Sequence, residues 1–452
     1  MSPAGVFEGE RFLVVGLGVA GSAAARVLVA EGARVRASEE RTAVEAADEL
    51  AALGVEVRLG GHEPADLEDV DAVVASPGVP EHAPILRWAA EREIPVWSEL
   101  DIGARLCRVP YVAITGTNGK STTTKLIAAM LSRAGLDAVA CGNIGHPFSV
   151  AAREGHEALS VEASSFQLRF HHWVHPRVSV LLNVAPDHLD WHGSERAYAS
   201  AKARVFELQG DDDVHVGNAD DPAAASISRT APCRVTWFRG GAPGPGEVGA
   251  VEGRIAARRP DGELVDLGRP VHDAAGFLLD CAAAAAAGLA YGLPAEAVAE
   301  AIGSMTPLPH RGEEVARVGS VRFLDDSKAT NVHAALHALR GKRDVVLIAG
   351  GMAKGVDLSP LAEARSSLAG VVAIGESGPE VMTVFEGLTP VRTAGSIEEA
   401  VQVAFEMTPE RGTVLLAPAC ASWDMFRDYV ERGERFAAAA RALRPEAARV
   451  QP

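Results

Sequence analysis

The chain has 452 residues, too many for a single hydrophobic core, since cores stop growing at roughly 250–300 residues. A composition of 48% hydrophobic and 23% charged residues excludes disordered and collagen-like classes and predicts about three domains of ordinary size. Lys+Arg 43 against Asp+Glu 60 gives a net charge of -17, which excludes nucleic-acid backbones and anionic membranes as partners unless a basic run offsets it, and no such run occurs.

The first hundred residues alternate short β-branched runs with Ala/Leu/Glu-rich segments. The strand RFLVVGLG leads into a helix over Ala20–Glu31, then ARVRAS, a helix near Glu45–Leu53, and DAVVASPGV. This is the signature of βαβ units and a parallel sheet. A fresh strand–glycine turn–helix begins at Val109, so a boundary is expected between Leu106 and Val109. EALSVEAS and VSVLLNVA are further strands, and Arg239–Ala250 is a Gly/Pro-rich loop in a region that holds a few antiparallel strands. The alanine-dominated segment Phe277–Leu293 carries Asp280 and is too short to span a bilayer, so a buried helix is expected. After Pro307 the alternation returns with SVRFLDDS, RDVVLIAGG, GVVAIG and GTVLLAPA, each expected to be followed by a helix.

The fold expected is α/β in three domains: residues 1–108 Rossmann-like, 109–308 a central P-loop ATPase-like mixed sheet, and 309–452 Rossmann-like. The five cysteines Cys107, Cys141, Cys233, Cys281 and Cys420 are widely spaced and form no C-x-x-C pair, which argues for a reducing compartment. The N-terminal segment has no basic-then-apolar signal. A cytoplasmic protein without a membrane span is the expectation, and the absence of a heptad or exposed interface stripe points to a monomer.

Gly16-Leu17-Gly18-Val19-Ala20-Gly21 closes a strand and opens a helix, where backbone amides and the helix dipole suit a phosphate or diphosphate. Glu39 stands about 20 residues downstream, as a dinucleotide fingerprint requires. The motif alone leaves NAD binding, another diphosphate, or mere helix–strand packing open. Thr115-Gly116-Thr117-Asn118-Gly119-Lys120-Ser121-Thr122 is more specific. It lies between a buried strand and a helix and ends in Gly-Lys-Ser, whose lysine reaches nucleotide β/γ-phosphates and whose hydroxyl reaches Mg²⁺. Its spacing is shorter than a strict P-loop, with Ile114 in the place of the first glycine.

This shortened loop resembles that of the Mur ligases and their folylpolyglutamate synthetase relatives. Gly142-Asn143-Ile144-Gly145, Glu162-Ala163-Ser164-Ser165-Phe166-Gln167-Leu168 and Asn183-Val184-Ala185-Pro186-Asp187-His188-Leu189-Asp190 resemble the central domain of that family in order and spacing. The resemblance implies that Gly116, Thr117, Asn118, Gly119, Lys120, Ser121 and Thr122 bind ATP. It implies two Mg²⁺ held by Ser121, Glu162, His188 and Lys202, the last as a carbamate that turns a cation into an oxygen donor. Lys120, Glu162, His188 and Lys202 are thereby the expected catalytic set. A zinc site among His171, His172, His175, His188 and His192 is not expected, for want of cysteines or an H-x-x-x-H helix; His171 and His172 are read as solvated or substrate-adjacent.

Further on, His310-Arg311, Asp325-Asp326-Ser327-Lys328-Ala329-Thr330-Asn331, Gly350-Gly351-Met352-Ala353-Lys354-Gly355 and Ala417-Pro418-Ala419-Cys420-Ala421-Ser422-Trp423-Asp424 resemble the D-glutamate-adding branch of the family. A dicarboxylic amino acid needs cationic and hydroxyl donors, which Lys354, Thr330, Ser422 and the nearby Lys328 supply; Arg311 and Asp326 are assigned to the nucleotide. Gly16, Gly18 and Ser38 are assigned to a UDP-sugar, and Asn143 and Ser164 to the same substrate. Met352 and Trp423 depart from the family pattern, as does VHDAAGFLLD, which stands where the family carries HN-x-x-N on the adenine side.

The reaction this implies is ATP-dependent addition of D-glutamate to UDP-N-acetylmuramoyl-L-alanine through an acyl phosphate, in cell-wall precursor synthesis, with closure of the lobes over three substrates. Alternatives are a ligase using L-glutamate or another acceptor, an NAD-dependent oxidoreductase, and a non-catalytic nucleotide-binding regulator. The oxidoreductase leaves the Gly-Lys-Ser loop, Glu162 and the DDSKATN segment unexplained, and the regulator is disfavoured because the expected metal ligands and Lys120 all remain.

Overall fold

In the computed structural model the described residues are 5–444, and they build an α/β protein with three sheets. The first is formed by β1 (Arg11–Val15), α1 (Val19–Ala30), β2 (Arg34–Glu39), α2 (Ala47–Ala52), β3 (Glu56–Leu59), β4 (Ala72–Ala75), α3 (Pro84–Glu91), β5 (Val96–Trp97) and α4 (Glu99–Leu106). Its order is β3-β2-β1-β4-β5, all parallel. The strand order reverses at β1/β4, and ligand crevices in open α/β sheets form at such a reversal, beyond the carboxyl ends of the strands. The Gly16–Gly21 turn lies there.

The second sheet follows from β6 (Tyr111–Thr115), α5 (Lys120–Arg133), β7 (Ala138–Gly142), α6 (Phe148–Ala151), β8 (Ala158–Glu162), α7 (Ser165–Phe170), β9 (Val178–Leu181), α8 (Leu189–His192), α9 (Glu195–Ala203), β10 (Val214–Asn218), α10 (Pro222–Ser228), β11 (Arg234–Phe238), β12 (Glu247–Val251), β13 (Arg254–Arg258), β14 (Leu264–Asp266), α11 (Ala275–Tyr291) and α12 (Ala295–Ser304). The order is β14-β13-β12-β11-β10-β9-β6-β8-β7. It is a mixed sheet, with β12, β13 and β14 antiparallel. The Gly/Pro-rich segment ends sooner than its composition suggests: Glu247 and Val248 pair with Trp237 and Phe238, so its last residues belong to β12. The alanines of α11 are buried between the sheet and α5, because small side chains let two helices and a sheet approach closely. Among the described residues no helix is long and apolar enough to cross a membrane.

The third sheet comprises β15 (Glu313–Val318), β16 (Val321–Asp325), α13 (Val332–Leu339), β17 (Val345–Gly350), β18 (Leu368–Ile374), α14 (Gly378–Phe385), β19 (Val391–Thr393), α15 (Ile397–Met407), β20 (Thr413–Leu416) and α16 (Tyr429–Ala442). Its order is β15-β16-β20-β17-β18-β19, parallel except for the β15–β16 hairpin. The edge strands β15 and β19 were not anticipated, and the expected helical segment after β17 is a 3-10 helix over Ser359–Ser367. Edge strands are half-exposed and carry only a weak apolar signal.

The chain divides into two compact units, Met1–Val184 with Trp191–Met305, and Ala185–Asp190 with Thr306–Pro452.

Candidate active site

In the first unit, the loop between β6 and α5 is shaped by two glycines in left-handed or near-forbidden backbone, Gly116 (φ 155) and Gly119 (φ 88). A Cβ at Gly116 would lie 2.8 Å from Leu182 Cβ, and one at Gly119 would lie 2.2 Å from Asp280 Oδ1. The loop is clamped by Asn183: the Thr117 N–H and the Asn118 N–H donate to its Oδ1 at 3.1 and 2.8 Å, and its Nδ2 donates to the Asn118 carbonyl at 3.1 Å. The Tyr198 hydroxyl donates to Thr117 Oγ1 at 3.1 Å. Lys120 Nζ folds back onto the carbonyls of Gly116 and Thr117 at 3.0 Å each. Ser121 is partly exposed at the start of α5, whereas Thr122 is buried, so Thr122 faces the core with its side chain.

Glu162 ends β8, directly beside Gly142 at the end of β7, and is buried. Its Oε1 accepts from Asn143 Nδ2 at 3.2 Å, while Oε2 is buried with no protein partner. A carboxylate oxygen left bare in the interior is costly unless a cation or water satisfies it. Mg²⁺ prefers hard oxygen donors together with substrate phosphates, so the donor chemistry of Glu162 and Ser121 fits that ion. Lys202 on α9 is not the surface lysine that its helix alone would suggest. It is 1% exposed, donates from Nζ to the Gly116 carbonyl at 2.7 Å, and stands 4.3 Å from the Tyr198 ring centroid. Ser164 is the N-cap of α7, sharing a capping box with Gln167.

At the first sheet, Gly16 (φ 83) and Gly18 form the turn before α1, and Gly21 packs so tightly that a Cβ would meet the Gly16 carbonyl at 2.0 Å. Two side chains nearby are turned inward. Glu39 Oε2 accepts from the Leu17 N–H at 2.6 Å and Arg41 grips both oxygens. Arg41 above all, with the Leu17 amide, holds the Glu39 carboxyl down to about 2 against the opposing effect of burial. Both oxygens are thus taken by the protein, and the ribose contact of an NAD fingerprint is not free to form. Ser38 is fully buried, with Oγ 2.6 Å from His62 Nδ1 and 3.3 Å from Asp66 Oδ2.

The solvated reading of His171 is corrected. The residue is buried rather than solvated, its Nε2 lies 2.8 Å from the Arg204 carbonyl, and burial pushes its pKa down to about 4. His172 is exposed. No group of three or more His, Cys, Asp or Glu among the described residues is arranged to hold a metal by itself.

In the second unit, the assigned amino-acid residues fall on loops at the carboxyl ends of three neighbouring parallel strands. Lys328 and Thr330 follow β16, Ser422 follows β20, and Lys354 follows β17. Backbone bonds knit the loops: Asp326 N to Leu416 O at 2.8 Å, Ala419 N to Ala329 O at 2.9 Å, Gly350 N to Pro418 O at 2.8 Å, and a reciprocal Met352–Ala421 pair at 3.0 and 2.9 Å. Lys328 Nζ lies 3.9 Å from the Tyr429 ring centroid. Lys354, at φ 56, is buried and paired with Asp187, whose other oxygen accepts from Asn331 Nδ2 at 3.1 Å. Burial raises the Asp187 carboxyl, but Lys354, His188 and Asn331 together hold it below its ordinary value. His188 itself has φ 54 and sits 3.7 Å from Asp187 Oδ2. Burial pushes Asp326 up to about 7 despite the opposing charge of Arg311. The neighbouring Asp325 accepts from Ser327 N and lies 2.7 Å from His310 Nδ1.

Residues that motif reading did not assign include Asn183, Tyr198, Asp280, Asp187, Tyr429 and Arg432. Asn183, Asp187 and Asp280 lie inside quoted segments and could have been found there; the others were not singled out by any motif quoted above.

Residues 114–242 match the family model for the Mur ligase middle domain, and residues 10–98 that for the Mur ligase MurD-like N-terminal domain. The UDP-N-acetylmuramoylalanine--D-glutamate ligase of Frankia casuarinae is 43% identical over 455 residues, covering 96% of this chain and 95% of its own. The same-named enzyme of Streptomyces avermitilis is 40% identical, covering 97% and 99%. Among solved structures, MurF ligase from Thermotoga maritima in complex with ADP superposes with a TM-score of 0.58 at 18% identity, covering 97% of this chain and 99% of that one. A pseudomurein peptide ligase type C from Methanothermus fervidus gives 0.58 at 20% identity, covering 90% and 96%. With near-full-length identity of 40–43% to ligases of that family and matches to two of its domain models, the chain belongs to the Mur ligase family.

Proposed function

We propose that this protein joins D-glutamate to UDP-N-acetylmuramoyl-L-alanine at the expense of ATP. The observation that carries the reading is the near-full-length identity to ligases of that name, together with donors for a dicarboxylic amino acid gathered on three adjacent loops.

The glycine-rich loop after β6 binds the triphosphate, with its amides and Lys120 neutralising the phosphoryl group in transfer. Ser121, Glu162, His188 and a carbamylated Lys202 would hold two Mg²⁺, which would supply charge neutralisation for phosphoryl transfer. Phosphoryl transfer to the alanyl carboxylate gives an acyl phosphate and ADP. The glutamate amine then attacks the acyl carbon, releasing phosphate and forming the amide. Lys354, Thr330, Ser422 and Lys328 orient the two glutamate carboxylates. Arg311 and Asp326 serve the nucleotide. Gly16 and Gly18 approach the UDP diphosphate through the backbone, and Asn143 and Ser164 line the path of the sugar-linked substrate.

We assign residues 1–108 to the UDP-sugar domain, 109–308 to the ATP domain and 309–452 to the amino-acid domain, in a monomeric cytoplasmic enzyme. The test is ADP release with Mg²⁺ and ATP, supplying UDP-N-acetylmuramoyl-L-alanine with D-glutamate, with L-glutamate, or with neither. Release with D-glutamate alone is expected. Release with L-glutamate instead moves the specificity, and no release in any mixture overturns the ligase reading.

A further inference from the structure

Arg432 lies in α16 and is 1% exposed, the largest fully buried side chain among the described residues. No carboxylate among them pairs with it. Instead Nε donates to Ser327 Oγ at 3.0 Å, Nη2 to the Ser327 carbonyl at 2.8 Å, and Nη1 to the Cys420 carbonyl at 3.1 Å. Ser327 Oγ in turn donates to the Tyr429 carbonyl at 2.7 Å. The guanidinium therefore bolts together two loops, the one after β16 that carries Lys328 and Thr330 and the one after β20 that carries Ser422.

A buried charge with no directly paired carboxylate bears a desolvation cost. Burial pushes the Arg432 pKa down to about 10, against the opposing pull of Cys420, Asp424 and Asp325. An apolar side chain would fill the space with less penalty. What an apolar residue cannot do is supply three donors, fixed in one plane, to two separate loops. The glycine that follows serves the same neighbourhood: a Cβ at Gly433 would lie 2.2 Å from His310 Nδ1 and 2.7 Å from Asp325 Oδ2, so the helix can press against the base of the DDSKATN loop only with glycine there.

We propose that Arg432 is a positioning residue for the amino-acid site: it sets the spacing of Lys328 and Thr330 against Ser422. The proposal rests on the assignment of those loops to glutamate.

The test uses the full-length enzyme and two variants. R432K keeps the charge but cannot reproduce the planar fork, and S327A removes one acceptor while leaving the backbone contacts. Expected for R432K is a rise of about tenfold or more in KM for D-glutamate, with KM for ATP and kcat at saturation changed less than about threefold. S327A should move the same parameter in the same direction by less. A KM for glutamate within about twofold of wild type in folded R432K, or a parallel loss across every substrate, would overturn the proposal. Should R432K fail to fold, S327A decides on the same criterion. Amide hydrogen exchange provides a readout independent of the ligand: in either variant, residues 326–331 and 417–422 should exchange faster together. A wild-type enzyme without glutamate-dependent ADP release would defeat the glutamate assignment, whereas unaltered exchange in both loops would defeat the role of Arg432.

Discussion

Lys202 Nζ donates to the carbonyl of Gly116 at 2.7 Å, joining a buried helix residue to the first glycine of the phosphate loop across 86 positions of sequence. An ammonium group there would repel a metal ion, while a carbamate would ligate it. In the presence of ¹³C-labelled bicarbonate we expect a carbamate carbon signal in the wild type that is absent in K202M. The same variant should lose ADP release by about 100-fold or more. A fully active K202M without a carbamate signal in the wild type would remove Lys202 from the metal site.

Glu162 presents one oxygen to Asn143 and keeps the other buried and bare of protein partners. Substitution E162Q keeps the shape and can retain the Asn143 contact, so the thermal midpoint should change by no more than a few degrees, about 1 kcal/mol for a side chain in its place. Turnover should fall by about 100-fold or more, and the Mg²⁺ concentration for half-maximal rate should rise. Loss of folding with normal metal dependence of the residual activity would instead make Glu162 a structural carboxylate.

Gly119 has no room for a side chain: its φ of 88 lies in the left-handed region, and a Cβ would collide with Asp280 Oδ1 at 2.2 Å. G119A should cost about 1–3 kcal/mol through backbone strain and weaken nucleotide binding by displacing the loop. Calorimetric titration with a non-hydrolysable ATP analogue and Mg²⁺ reads the second effect. Because the carboxylate of Asp280 stands beside Gly119 of the phosphate loop, D280N is expected to tighten binding of the free nucleotide more than that of its Mg²⁺ complex. Equal effects with and without Mg²⁺ would show that its charge is not felt at the phosphates.

His215 is wholly buried, with Nδ1 2.7 Å from Ser179 Oγ and Nε2 2.9 Å from Ser228 Oγ. Ser179 donates to Gln209 Oε1 at 2.7 Å, so the imidazole donates from Nδ1 and accepts at Nε2, a neutral tautomer. Burial pushes its pKa down to about 3, and that of His171 to about 4. Above the unfolded value of about 6.5 both states are neutral and neither residue contributes a pH dependence. As pH falls below about 6.5, the unfolded chain binds protons that the folded chain refuses. Each histidine then removes stability at up to about 1.4 kcal/mol per pH unit, down to its folded pKa. The thermal midpoint should therefore decline between pH 7 and pH 5, and H215Q should flatten that decline by one proton's worth. An unchanged slope in H215Q would place the acid sensitivity elsewhere.

The sheets were legible because their signals are local. β-Branched runs closed by glycine turns mark β1, β6 and β8, and alanine spacing marks α11 as a buried helix. The edge strands β15 and β19 and the early onset of β12 were not legible, since a half-exposed strand has little apolar periodicity and is defined by the neighbour it pairs with. The loop before Lys120 was readable from its glycines. That Ser38 and His171 are buried was not, because a polar residue at a strand or helix end looks alike in sequence whether solvent or another element covers it.

By itself the sequence determined the chemistry available: a phosphate-binding loop at a helix start, a carboxylate at a strand end, and three loops bearing lysines or hydroxyls that resemble a dicarboxylate site. These depend on short spacings along the chain. Only the tertiary structure decided the pairings, namely Lys202 against Gly116, Glu39 against Leu17 and Arg41, Lys354 against Asp187, and Arg432 between Ser327 and Cys420. Most of these join residues tens to over a hundred positions apart, where the partner is set by which strands lie side by side and by the cost of burying a charge unpaired, neither of which is written in local order.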